Sequence, residues 1–161
     1  MTFVDSIANR PTLQMQRHFD APRPLVWRAW TNPEVMVLWL GPVEWPAVSA
    51  TQDLRVGGEW RACLRSPDTG QDLWQGGVYR EIVPEERLVF TFKWDESHED
   101  GPPVDTLVTV VLSDAPGGGT LMDFTHEGLK SEQSLTGHKH GWTSTFERLE
   151  AFLAAGGGQH E

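Results

Sequence analysis

The segment from Ser131 to Ala155 constrains this chain more than any other. Its apolar residues are Leu135, Trp142, Phe146, Leu149, Phe152 and Leu153. From Trp142 they recur in steps of four, three, three and one, the period of a helix and not of a strand. Glu132, Gln133, Lys139, Thr143, Ser144, Glu147 and Arg148 fall on the opposite, polar face. Ser131 or Ser134 is a candidate cap at the start, and Gly156, Gly157 and Gly158 end the pattern. A helix with an aromatic stripe draws its stability from what it lies on. The rest of the chain must supply that surface.

Upstream, the pattern is mostly that of strands. Thr12 to Phe19 alternates, with Leu13, Met15, Arg17 and Phe19 on one face. Pro22 and Pro24 suit a first helical turn, with Asp20 as a candidate cap, and Leu25, Val26, Ala29 and Trp30 form the apolar face of a short helix. Thr31-Asn32-Pro33 restarts the chain into a second short helix with Val35, Met36, Leu38 and Trp39 as its apolar side, closed by Gly41-Pro42. Six strands follow: 47–55, 59–65, 73–83, 87–94, 104–113 and 120–127. Gly57-Gly58, Ser66 to Gly70, Pro84 to Glu86 and Pro116 to Gly119 supply turns between them, and Gly76-Gly77 marks a point where the third is weakened or bulged. The acidic stretch Asp95 to Pro103 reads as a mobile loop. Tight turns imply an antiparallel meander. The order predicts an α+β fold: a curved antiparallel sheet, two short helices, and the long helix across the concave face.

At 161 residues one domain is expected, over 11–155, between flexible tails at 1–10 and 156–161. A chain of this length buries about 70% of its unfolded surface and needs no staple. The single Cys63 excludes an internal disulfide and a Cys-based zinc site. A net charge of −10 disfavours nucleic acid and anionic membrane as partners. No apolar run is long enough to insert in a membrane and no signal-peptide pattern is seen, so a cytoplasmic location is expected. Eight Trp against one Tyr points either to a core filled with rings or to a cavity walled by them.

The strand parities converge Trp60, Leu64, Trp74, Phe90, Phe92, Trp94, Met122 and Phe124 on the helix residues Trp142 and Phe146, with Trp39 as a lid. Such a wall suits a small apolar or aromatic ligand. His126 shares the face of Phe124, and is either a ligand donor or acid/base group, or a strand-end histidine bonded to the backbone. His138 with His126 gives only a weak metal pair, and His140 faces water, so no metal and no cofactor is implied. Arg65, Asp72 and Gln75 lie near a hairpin mouth, where any of them could orient a polar ligand end, but opposed strand pairs usually place such residues in water, and that is the expectation here. Cys63 has Arg61 and Arg65 as face neighbours, which would lower its pKa, although a lone sheet cysteine is more often inert.

Several of these stretches resemble one family. They are Asp20-Ala21-Pro22 through Trp30-Thr31-Asn32-Pro33, Trp39-Leu40-Gly41-Pro42, Asp53 to Trp60, Gly77 to Pro84 with Arg87 to Thr91, Gly118-Gly119-Thr120, Thr125 to Gly128, and Gly141-Trp142 with Leu149. Over about 14–153 the chain resembles bacterial relatives of the C-terminal domain of the Hsp90 ATPase activator, within the START-like (SRPBCC), helix-grip superfamily. It departs at Leu40, where that family has a second Trp, and at Val56, where Pro is usual. The resemblance implies a deep apolar cavity between sheet and long helix. Related folds bind lipids, sterols, polyketides and plant hormones, and some are cyclases or aromatases. It therefore implies a ligand-binding protein first. A cyclase, dehydratase or hydrolase using His126 is the alternative, as is a chaperone-associated protein. A homodimer is compatible with the sequence, which identifies no interface.

Overall fold

The computed structural model describes residues 3–96 and 102–156. Most of the expected acidic loop and C-terminal tail, with Gly157 and Gly158, lies outside them. In chain order the elements are α1 (Phe3–Ala8), β1 (Thr12–Phe19), α2 (Arg23–Thr31), α3 (Pro33–Met36) and β2 (Ala47–Gln52), then β3 (Glu59–Arg65), β4 (Asp72–Val83), β5 (Arg87–Trp94), β6 (Thr106–Asp114), β7 (Thr120–Glu127) and α4 (Glu132–Ala154). The strands form one seven-stranded sheet in the order β1-β7-β6-β5-β4-β3-β2. Every pairing is antiparallel. Strands β2 to β7 are a meander. The N-terminal β1 closes the far edge beside β7.

The long helix starts and stops where local chemistry dictates. Ser131 accepts from the Ser134 N–H, and Gly156, at φ +85°, continues the chain beyond Ala155 in a conformation only glycine takes freely. Its buried stripe of Trp142, Phe146, Leu149 and Leu153 lies against the sheet. Burying each such side chain contributes about 1.5–3 kcal/mol. Phe124 of β7 meets Trp142 at 4.7 Å and Phe146 at 5.0 Å between ring centroids. Trp30 of α2 joins this cluster, 4.9 Å and edge-on to Trp39.

Five local expectations are corrected. Residues 3–8, expected within a loose tail, form α1, and its Ile7 is buried. An apolar residue that finds core surface orders even a short segment. Asp20 does not cap α2: the N-cap is Pro22, and no side chain serves it. Helix α3 ends at Met36, which turns Leu38 outward to 56% exposure while Trp39 is fully buried. Strand β2 stops at Gln52, because Asp53 to Gly58 fold into turns on Asp53 and Arg55. The bulge in β4 lies between Tyr79 and Glu81 and not at Gly76-Gly77. Gly77 is required for a different reason: a Cβ there would fall 1.8 Å from the Thr91 carbonyl oxygen.

Candidate functional site

Register fixes which side chains of the central strands face α4. On β3 they are Trp60, Ala62 and Leu64, all buried. Their partners on β4 are Gly77, Gln75 and Leu73. On β5, Phe90, Phe92 and Trp94 continue the face. Towards the C-terminal half of α4 this face is met by large rings and the space is filled. Towards the N-terminal half, α4 presents Ser134, Gly137, His138 and Gly141. These are small or polar, and the helix and sheet do not close on each other. The segment from Leu40 to Trp45 forms the third wall.

The result is a cavity of about 940 Å³, open to solvent on one side. Its apolar walls are Leu40, Trp45, Leu64, Leu73, Phe92, Trp94 and Trp142. Below it lies a much smaller void of about 10 Å³, bounded by Trp30, Trp60, Tyr79, Phe90 and Gln75. Leu40, Gln75 and Trp142 border both.

Of the expected ligand-facing residues, Leu64, Phe92, Trp94 and Trp142 line the cavity. Trp60 and Phe90 pack edge-on at 5.4 Å and reach only the small void. Met122, Phe124 and Phe146 are buried core away from it. Trp39 is not a lid: it is fully buried, with its indole N–H on the Ala29 carbonyl at 3.0 Å. Trp74 is on the other face of the sheet. It pairs with Cys63, which has the opposite parity to Trp60 and Leu64, and it is 41% exposed beneath the Arg61 guanidinium.

His126 is fully buried and both its ring nitrogens are engaged. The Trp142 Nε1–H donates to its Nδ1 at 3.1 Å. An indole only donates, so Nδ1 is unprotonated and the proton sits on Nε2, 2.7 Å from the Thr106 hydroxyl. Thr106 in turn donates to the Phe92 carbonyl at 2.7 Å. Burial, and secondarily His138, hold the His126 pKa well below the ordinary histidine value. The residue ties β6, β7 and α4 together. It does not line the cavity, and the arrangement leaves it no proton to exchange with a ligand. Its partner is a threonine hydroxyl and not the expected backbone carbonyl.

His138 accepts from the Trp94 Nε1–H at 3.2 Å, and its Nδ1 lies 2.8 Å from the Ser134 carbonyl. The His126 and His138 rings are perpendicular at 5.2 Å, each turned to a tryptophan and not to a shared point. Among the described residues no group of three His, Cys, Asp or Glu side chains is placed to hold a metal. The Cys63 thiol is pushed up by burial and by Asp72, against the lowering expected from the arginines. Arg65 and Asp72 pair with each other on the surface. Gln75, expected in water, is 3% exposed at the base of the cavity.

Leu40, Trp45, Leu73, Gly137 and Gly141 escaped sequence reasoning as wall residues. One signal was present: Gly137 and Gly141 are one helical turn apart, on a helix otherwise lined with rings. A Cβ at either meets no atom within 4 Å.

The family model for Activator of Hsp90 ATPase homolog 1-like protein matches residues 20–154. No curated protein matches the chain. Among solved structures, an uncharacterised protein from Rhizobium leguminosarum is 29% identical, with a TM-score of 0.74 over 90% of this chain and 95% of its own. A protein from Chromobacterium violaceum is 26% identical, with a TM-score of 0.74 over 88% of this chain and 96% of its own. An AHSA1 protein from Silicibacter pomeroyi, 22% identical, shares the fold at a TM-score of 0.77 over 90% of this chain and 99% of its own.

Proposed function

The chain belongs to the activator of Hsp90 ATPase homolog 1-like family, with its START-like, helix-grip fold, and we propose that it holds a small apolar or aromatic molecule between the sheet and the N-terminal half of α4. The observation that carries this reading is the cavity of about 940 Å³ with its tryptophan, phenylalanine and leucine walls. Sites for small organic ligands span about 300–1,000 Å³ and are apolar with few polar groups, as this one is. Trp94 and Trp142 form part of the wall, so occupancy should perturb tryptophan fluorescence directly.

The acid/base alternative rests on His126, whose ring nitrogens are both committed to Trp142 and Thr106. Binding is therefore the reading the geometry favours.

The test is a fluorescence titration with Nile red, a neutral apolar dye. The wild-type protein is expected to bind it with saturation. Gly137→Phe places a ring where no atom lies within 4 Å of the new Cβ, on an exposed helical position. It is expected to weaken the dye at least about tenfold, the scale on which hydrophobic pockets discriminate by shape, with the melting temperature unchanged. A wild-type protein that shows no saturable binding would refute the reading.

A further inference from the structure

We propose that the cavity selects an uncharged ligand carrying a carbonyl or hydroxyl group, and that the Gln75 side-chain amide receives this polar end at the base. The proposal rests on the ligand-binding reading above and specifies its chemistry.

Gln75 is 3% exposed, and among the described residues its amide makes no hydrogen bond. The other polar side chains deep in the wall are occupied. Thr145 donates to the Gly141 carbonyl, Ser134 lies against His138, and His138 is held by Trp94 and the Ser134 carbonyl. The amide is not among the fully enclosed side-chain atoms that lack a partner, so it faces the open cavity, where a ligand group can complete it. Gln75 sits where the large cavity meets the small void, so a group entering from the cavity reaches it. Across that void is Trp30, whose Nε1 is buried and also lacks a partner. Indole N–H only donates, and the amide both donates and accepts. The group that suits both is an oxygen with lone pairs, such as a ketone, ester, amide or hydroxyl oxygen.

A carboxylate or phosphate would meet the same donors but no counter-charge. None of the described residues lining the cavity is Lys or Arg. Nearby arginines are spent elsewhere: Arg61 on Asp95, Arg65 on Asp72, and Arg148 on the carbonyls of Leu38, Leu40 and Gly41. Glu44 stands at the mouth beside His140, 3.9 Å away. An anion entering this site loses its hydration, and no cation replaces it.

Three probes separate these terms: 2-isopropylnaphthalene as the hydrocarbon, 2-acetylnaphthalene as the ketone of nearly the same shape, and 2-naphthoate, each competed against Nile red on the full chain at pH 7.5. The ketone is expected to bind about three- to tenfold tighter than the hydrocarbon, the yield of one hydrogen bond. Naphthoate is expected to bind at least about tenfold weaker than the ketone, the direction set by burying an unpaired charge. Gln75→Met keeps the length of the side chain and is expected to abolish the ketone's advantage over the hydrocarbon, with an unchanged near-ultraviolet dichroism spectrum as the control for folding. The proposal is overturned if naphthoate equals or exceeds the ketone. It is equally overturned if ketone and hydrocarbon bind alike in the wild type, or if the ketone's advantage survives in Gln75→Met. Failure of Nile red itself to bind removes the ligand-binding reading, and this proposal with it; dye binding without the ranking removes this proposal alone.

Discussion

The Trp142 indole can only donate, so the His126 Nδ1 facing it at 3.1 Å keeps its lone pair as long as the helix stays on the sheet. Protonating that nitrogen sets two N–H groups against each other in a buried place. In the unfolded chain the same histidine titrates near about 6.5. Below that pH the unfolded state takes up a proton that the folded state refuses, because the folded pKa is depressed. The stability that depends on a neutral His126 is therefore fully present above about 6.5 and is lost as pH falls from there toward the folded value. Urea unfolding between pH 7.5 and 5.5 is expected to show stability falling on the acid side by up to about 1.4 kcal/mol per pH unit. His126→Gln should flatten that slope, and an unchanged slope would mean another group is responsible. Gly77 is a second residue with one solution. The Thr91 carbonyl that a Cβ would strike also accepts from the Trp60 indole, and the Thr91 hydroxyl accepts from the Val78 N–H. Thr91 cannot step aside without releasing both bonds. Gly77→Ala is expected to cost about 1–3 kcal/mol, the range for overpacking a filled site, read from the urea midpoint.

At the scale of elements, α4 does two jobs with two halves. Its C-terminal half is a packing surface: Phe146, Leu149 and Leu153 are buried against the sheet. Its N-terminal half stands off, and the wall segment 40–45 is fastened to the helix from outside. Arg148 donates to the carbonyls of Leu38, Leu40 and Gly41 at 2.7–3.1 Å, and the Ser144 hydroxyl accepts from the Val43 N–H at 3.0 Å. Burial lowers the Arg148 pKa from its ordinary value, yet leaves arginine charged at any physiological pH. Sequence periodicity puts both residues on the polar face, which is right for the helix wheel and silent about what covers it. Arg148→Met retains the apolar stem and removes the clamp. Hydrogen bonds from a charged group are worth about 1.5–3 kcal/mol, so amide exchange over 40–45 is expected to accelerate at least about tenfold. Exchange unchanged there would show that Leu40 and Trp45 hold the wall by packing alone.

Over the whole molecule, one ring cluster joins the parts. Trp30 of α2 touches Trp39, Phe90 of β5, Phe124 of β7, and Trp142 and Phe146 of α4, with centroid distances from 4.9 to 6.3 Å. Sheet, short helices and long helix therefore share side chains and should unfold together. Near-ultraviolet dichroism from the tryptophans and far-ultraviolet dichroism from the backbone are expected to melt in one coincident transition. An earlier loss of the near-ultraviolet signal would show that α4 leaves the sheet before the strands separate. Alternation and helical period alone determined the element order from β1 onward, the near-exact spans of β1, β3, β5, β7 and α4, and the antiparallel meander, because each is written in residues close in the chain. They also identified Phe92, Trp94 and Trp142 as facing inward. What they left open depends on partners far apart. Trp74 looked like a wall residue until its register against Cys63 put it outside, and Gln75 looked solvated until the same register turned it inward. Whether rings fill a space or line it is decided by what stands opposite. Phe124 meets Phe146 and the space closes; Phe92 and Trp94 share their wall space with Gly137 and Gly141, which bring no side chain to fill it, and a cavity remains.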